Sequence, residues 1–155
     1  MAASLPASPI ARASRAYAAL AALLDRLQPA WSLAVRFYVA RVFFASGLTK
    51  IADWNITLAL FENEYQVPFL SPSTAALLGT GAELALPVLL AAGLGTRFTA
   101  AALFVFNIVA VVSYPDLSDA GLKDHVLWGA LLAALVIHGA GRWSLDAFIR
   151  RRAGL

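Results

Sequence analysis

Arg36, Arg41, Lys50, Glu83, Asn107 and His125 draw attention first, because each is a polar or ionisable residue within or at the edge of a long apolar run. A charge held among lipid-like side chains costs upward of about 2.5 kcal/mol, so such a group pairs, hydrates or neutralises. Glu83 is the carboxylate in question, and Arg36, Arg41 and Lys50 are its candidate partners. Counted from the ends of their runs, Arg41, Glu83 and Asn107 each lie about ten residues in, about 15 Å at the rise of a helix. They are therefore expected to meet near a midplane as one intramembrane polar cluster. An Arg41–Glu83 pair that only fixes helix register is the bland alternative. Helical phase complicates the cluster: Arg36, Ala40, Phe43, Gly47 and Lys50 share a face, and Arg41 points about 140° away from Arg36. Arg36 itself stands close enough to its helix start to snorkel to the interface.

Lys50, Tyr114, Asp124, His125 and Trp128 form a second polar group, brought to one level by the ends of their helices. A histidine in the first turn of a helix meets the positive end of the dipole, which favours neutral imidazole and an acid–base or hydrogen-bonding role. Its bland counterpart is an interfacial histidine beside a tryptophan in an aromatic belt. The other histidine, His138, is about 20 Å further along the same helix, so the two cannot share one haem within a monomer. No metal-ligand spacing, nucleophile elbow or phosphate-cradling loop is present, and no self-sufficient catalytic constellation emerges. With no cysteine, the chain cannot itself perform thiol–disulfide exchange or build a thiolate metal site. No metal and no covalent cofactor are expected.

The elements that carry these residues are apolar helices. The chain is 61% hydrophobic and 14% charged, against about 25% charged in an ordinary soluble domain. Its mean hydropathy is +0.74. Four runs, 31–51, 73–93, 97–114 and 124–140, approach or reach the roughly 17–25 residues that cross a bilayer. The helix punctuation agrees: Ser71-Pro72 opens one run, Gly93 to Thr96 turns to the next, and Pro115 stops it. Shared faces run through Ala76, Gly79, Thr80, Glu83 and Pro87, through Ala100, Leu103, Asn107 and Tyr114, and through His125, Gly129, Leu132 and Val136. Arg12, Arg15, Arg26, Arg97, Arg142 and Arg150 to Arg152 fall on one side of these runs, with only Lys50 and Lys123 among acidic residues on the other. The positive-inside rule then places both termini in the cytoplasm. The net charge of +3 serves topology, and no nucleic-acid partner is expected.

The expected architecture is all-α: an integral membrane four-helix bundle, N-in and C-in. A cytoplasmic segment 1–30 precedes it. Ala13, Tyr17, Leu20, Leu24 and Leu27 recur there at helical spacing and predict an amphipathic interfacial helix rather than a cleaved signal. Trp54, Leu58, Phe61 and Tyr65 predict a second interfacial segment in the first outer loop. The transmembrane domain spans 31–149, and 150–155 is a basic cytoplasmic tail.

Several motifs together resemble the DoxX family of small four-helix bacterial membrane proteins. Arg36 precedes Ser46-Gly47-Leu48-Thr49-Lys50, Glu83 and Pro87 sit in Ala-Glu-Leu-Ala-Leu-Pro, and Gly93-Leu94-Gly95-Thr96-Arg97 follows. Gly139-Ala140-Gly141-Arg142-Trp143-Ser144-Leu145-Asp146 is similar to the family's C-terminal ending, with Ala140 in place of a proline. The resemblance covers residues 31–149 and carries the family's polar positions onto Arg36, Lys50 and Glu83, while Arg41 lies outside the pattern. It implies an accessory or anchor subunit in a redox or metal- and oxidative-stress system. The cofactor implied is a quinone or another small apolar redox molecule, and any enzymatic role would be as a subunit of a quinone-linked oxidoreductase. The setting implied is a bacterial inner membrane, and partners would be the lipid bilayer, a redox or stress protein and a homo-oligomer. The competing class is a small oligomeric permease using Glu83 as a protonatable intramembrane carboxylate.

Overall fold

A computed structural model describes residues 8–154; the first seven residues of the expected N-terminal segment and Leu155 lie outside it. The described residues form six helices and no strand: α1 (Pro9–Ala52), α2 (Trp54–Asn63), α3 (Pro72–Ala92), α4 (Thr96–Val112), α5 (Asp119–His138) and α6 (Leu145–Arg152). The helix starts follow local chemistry. Ser8, Ser71, Ser118 and Ser144 each accept a backbone N–H of the first turn, and Pro9 and Pro72 occupy positions where no N–H is needed. Gly93, at φ 70°, ends α3 with the paired Gly93 N–H to Leu90 and Leu94 N–H to Leu89 bonds that only a left-handed residue allows.

Two boundaries depart from the sequence expectation. The N-terminal segment and the first apolar run are one helix of 44 residues, with Pro29 inside it. Pro29 is buried and lies against Gly141, so the proline is absorbed where the chain is held from outside. At the other extreme, α5 begins five residues before the apolar run, because Ser118 caps it.

Val35, Val39 and Phe43 of α1, Leu90 of α3, Ala100 and Leu103 of α4, and Leu132 and Leu135 of α5 make one core. A smaller cluster of Phe61, Ala75 and Ala76, joined by Leu58, Tyr65 and Val67, seats α2 and the segment after it on the start of α3. The α2 stripe therefore packs on the protein itself. The large apolar side chains outside these cores, among them Leu77, Val88, Phe98, Val105, Val126 and Ile137, face outward. Helices α3 and α5 are long and apolar enough to cross a membrane, and α4 is a shorter apolar helix. Outward apolar faces on helices whose polar groups turn inward are what an apolar surrounding demands.

Candidate functional site

Each end of the helical core holds a cation, Arg36 fully buried and Lys50 partly buried. Arg36 and Lys50 share one face of α1 about 21 Å apart, and they meet very different partners.

At the Lys50 end, Gly47 brings α1 against α3. A Cβ there would stand 3.1 Å from that of Glu83 and 2.9 Å from the Leu84 side chain, so the two helices touch at this level. Lys50, one turn on, reaches back to the carboxylate. Its Nζ lies 2.7 Å from Oε2 and 2.9 Å from Oε1, with the two side chains 16% and 7% exposed. Ser46 closes a triangle: its hydroxyl accepts from Lys50 Nζ at 2.9 Å and donates to Glu83 Oε1 at 3.0 Å. The Lys50 carbonyl in turn accepts from Thr57 Oγ1 at 2.8 Å, which ties the last turn of α1 to α2.

Across this level, Asn107 Nδ2 donates to the His125 carbonyl at 3.0 Å, and Asn107 Oδ1 stands 2.8 Å from His125 Nδ1. The carbonyl can only accept, so it fixes which way the Asn107 amide faces. Nδ1 must then carry a proton and donate it to Asn107 Oδ1. Trp128 stands edge-on to the His125 ring at 4.9 Å and to Phe43 at 5.9 Å.

The pair borders two cavities. One, of about 310 Å³, has Lys50, Glu83, Ser46, His125 and Trp128 in its wall, with Phe43 and Phe106 as flat apolar faces. The other, of about 270 Å³, also touches Lys50 and Glu83 and is otherwise lined by Phe61, Leu78, Val109 and their neighbours, with Ser113 at its edge. The Trp128 indole N–H and the Ser113 hydroxyl are buried and have no protein partner. Trp128 belongs to the lining of the first cavity and Ser113 to that of the second, although both polar atoms are themselves enclosed.

Residues 64–71 strap this end. The Gln66 N–H bonds the Ser113 carbonyl at 2.7 Å, Tyr114 donates to Glu64 at 3.2 Å, and Tyr65 stacks between Phe61 and Tyr114. Burial pushes the Tyr65 phenol above its ordinary value, and Glu83, Tyr114 and Glu64 push the same way. Its proton is therefore held firmly. For Tyr114 the hydrogen bond to Glu64 is the main cause of the same upward direction.

At the other end, Arg36 is fully buried and bonds no carboxylate. Its Nη1 donates to the Ala91 carbonyl at 3.0 Å, and Nη2 donates to the Trp143 carbonyl. It thus neutralises the negative end of α3 and ties residues 139–144 to it. Gly93 is obligatory beside it, since a Cβ there would fall 2.3 Å from Arg36 Nη1 and 2.6 Å from Ser144 Cβ. Helix α4 opens at Gly95 with no capping side chain of its own. Asp146 of α6 supplies it, accepting from the N–H groups of Gly95 at 2.7 Å and Thr96 at 2.8 Å. Burial alone would raise the Asp146 carboxyl. The bonds from Thr96 and Gly95, with Arg150 nearby, more than offset this and hold it below its ordinary value.

Arg41 joins neither site. It is exposed on α1, and the expected Arg41–Glu83–Asn107 cluster does not form: Glu83 takes Lys50, and Asn107 takes His125. Arg36 does not snorkel but is enclosed. The sequence reading passed over Ser46, Trp128 as an unpartnered donor, and Asp146 as a cap. Ser46 was findable, four residues before Lys50 and so on its face of the helix. Among the described residues no group of three or more His, Cys, Asp or Glu could hold a metal ion.

The DoxX family profile matches residues 31–115. The chain is also 34% identical over 128 residues to an uncharacterized protein of Haemophilus influenzae, covering 77% of this chain and 83% of that one. No solved structure matches.

Proposed function

Starting from the premise that the chain belongs to the DoxX family, we propose that it is a membrane subunit whose Lys50 end binds a small, largely apolar redox molecule, a quinone in the leading case. The observation that carries this reading is the Lys50–Glu83 pair set between two cavities, with the unpartnered donors of Trp128 and Ser113 on residues that line them. The larger cavity is near the lower limit of small-molecule sites, which run from about 300 to 1,000 Å³. A flat dione asks for aromatic walls and a hydrogen-bond donor toward each oxygen, and Phe43, Phe106, the Trp128 indole N–H and the Lys50 ammonium fit that demand. When bound, a quinone supplies two-electron, two-proton redox chemistry. The chain's own part is to exclude water, orient the ring and hold protons at Lys50 Nζ and Glu83, with the His125 ring as a further acid–base group in the wall. Electrons would come from a redox or stress-response protein partner, since no residue here supplies them.

The permease alternative is less well supported. Val39, Leu90, Leu103 and Leu132 lie between the two ends, and none of these four lines a cavity beside Glu83. The same reading sets α1, α3, α4 and α5 across a bacterial inner membrane with both termini cytoplasmic, supported by the segregation of arginines to the Arg36 end. A cytoplasmic reporter fused after residue 155 should be active, and one inserted near Asn63 silent. To test the ligand, the protein is purified from its own membrane and its extractable lipids are identified. A stoichiometric quinone in the wild type, lost in Glu83→Gln and retained in Arg41→Gln, is the expected result. Preparations equally free of quinone, or equally loaded, would sink the proposal.

A further inference from the structure

The first half of α1 extends away from the core. Counted from Pro9 to Pro29 it is about 30 Å of helix, and one side of it is apolar and bare. Ile10, Tyr17, Leu20, Leu24, Leu27 and Trp31 are all between 54% and 82% exposed. With Ala13 and Ala34 they fall at alternating steps of three and four residues, so they repeat every seven through three and a half heptads. Tyr17, Leu24 and Trp31 take one seam position of the heptad, and Leu20 and Leu27 the other. The charged residues of the segment, Arg12, Arg15, Asp25 and Arg26, occupy only outward positions, and the positions flanking the seam, Ser14, Ala16, Ala21, Leu23, Gln28 and Ala30, are uncharged.

We propose that residues 10–34 of two copies of this chain pair as a parallel, in-register two-stranded coiled coil that makes the protein a homodimer. The membrane placement proposed above sets the orientation, because two copies inserted the same way present the same end of α1 at the same height. A second copy carries the matching repeat in the matching register, and no like charges meet at or beside the seam. Area is sufficient as well. Two aromatics of the kind that bury about 150–250 Å² each, and three leucines more than half exposed, taken from both copies, reach the roughly 1,000 Å² of a specific interface.

A bilayer surface is the other apolar partner for such a stripe, and two features oppose it. A helix lying flat needs an apolar stripe at 3.6 residues, whereas a strict seven-residue repeat drifts by about 20° per heptad and suits a supercoiled mate. Moreover, α1 is unbroken from Pro9 to Ala52, so the arm shares its run with the segment that carries Arg36 and Lys50. The pairing has a natural limit. Arg41 falls on the continuation of the same seam and is exposed, and two facing guanidinium groups would drive the helices apart there.

The chain lacks cysteine, so single cysteines report the interface directly. In native-lipid membranes, oxidation should give a disulfide-linked dimer for Leu20→Cys, Leu24→Cys and Leu27→Cys, and none above background for Ala18→Cys, Ala19→Cys and Ala22→Cys. Adding Leu20→Asp and Leu24→Asp to the Leu27→Cys protein should abolish its cross-link while thermal unfolding of the core stays unchanged. Cross-linking that ignores the seven-residue pattern overturns the proposal, as does a cross-link that survives the two aspartates. Absent seam cross-links, with a fluorophore at position 24 quenched by spin-labelled lipid, would overturn it in favour of the bilayer.

Discussion

Arg36 and Lys50 are two cations on one face of one helix, the first fully and the second partly buried, and they teach opposite lessons. Arg36 meets only backbone carbonyls, which any sequence presents, and every contact it makes closes one element onto another. Lys50 meets a carboxylate that could exist in another protonation state, beside cavities and a histidine. The first arrangement fastens backbone segments to one another; the second joins two ionisable side chains in the walls of two cavities. A buried cation therefore says little until its partner is known.

The sharpest way to break this contrast is at the pair. Lys50→Met leaves Glu83 buried without its cation and should destabilise the protein by about 3–5 kcal/mol in a thermal melt in detergent, with loss of bound ligand. Lys50→Met combined with Glu83→Gln should recover part of that stability and none of the ligand. A double mutant no more stable than Lys50→Met alone would mean the two side chains are not coupled. Arg36→Met should rank next. It strips the Ala91 and Trp143 carbonyls of their donor at about 1–3 kcal/mol each, while ligand content per folded molecule stays at the wild-type level. Ligand loss without unfolding would erase the distinction between the two ends.

Asp146 sharpens the structural side further. Its folded pKa is depressed, so its contribution is complete above the ordinary carboxylate range and is lost as pH falls through the lowered folded value. Asp146→Asn should cost about 1 kcal/mol near neutral pH, as for a lost helix cap, and should flatten the acid limb of a melting-temperature profile. An unchanged acid limb would show that the cap carries no charge-dependent stability. The smallest effect belongs to Arg41→Gln, expected within about 0.5 kcal/mol of wild type and additive with Glu83→Gln.

Arg41 also marks where sequence reasoning stopped. The inward faces were legible because burial enforces the 3.6-residue period, and Arg36, Gly47, Thr80, Glu83, Leu103 and Asn107 are all buried. The same phase argument set Arg41 off the face of α1. Depth was the misleading measure. Counting inward from the ends of two apolar runs assumes that the runs are level, yet α3 begins well beyond the end of α1 because α2 packs beside its first turns. Glu83 consequently stands level with Gly47, six residues from Arg41, or about 9 Å along α1. The Arg36 end was illegible for another reason: its bonds end on carbonyls, and no residue type announces those. Likewise α6 is only eight residues long and ends on three arginines, and Ser144 with Asp146 marks its start only once the turn before it is known.

The distant cap on α4 has a consequence for the order of assembly. Asp146 lies 50 residues beyond the Thr96 amide it serves, and the Trp143 carbonyl lies 107 residues beyond Arg36. At synthesis rates of about 5–20 residues per second, the guanidinium waits roughly 5–20 s for that oxygen, and the first turn of α4 stays uncapped for several seconds. The Lys50–Glu83 contact spans only 33 residues and can form first. The Lys50 end is therefore assembled early, and the chain locks its other end last, when the segment from Gly139 to Asp146 emerges and fastens α1, α3 and α4 together.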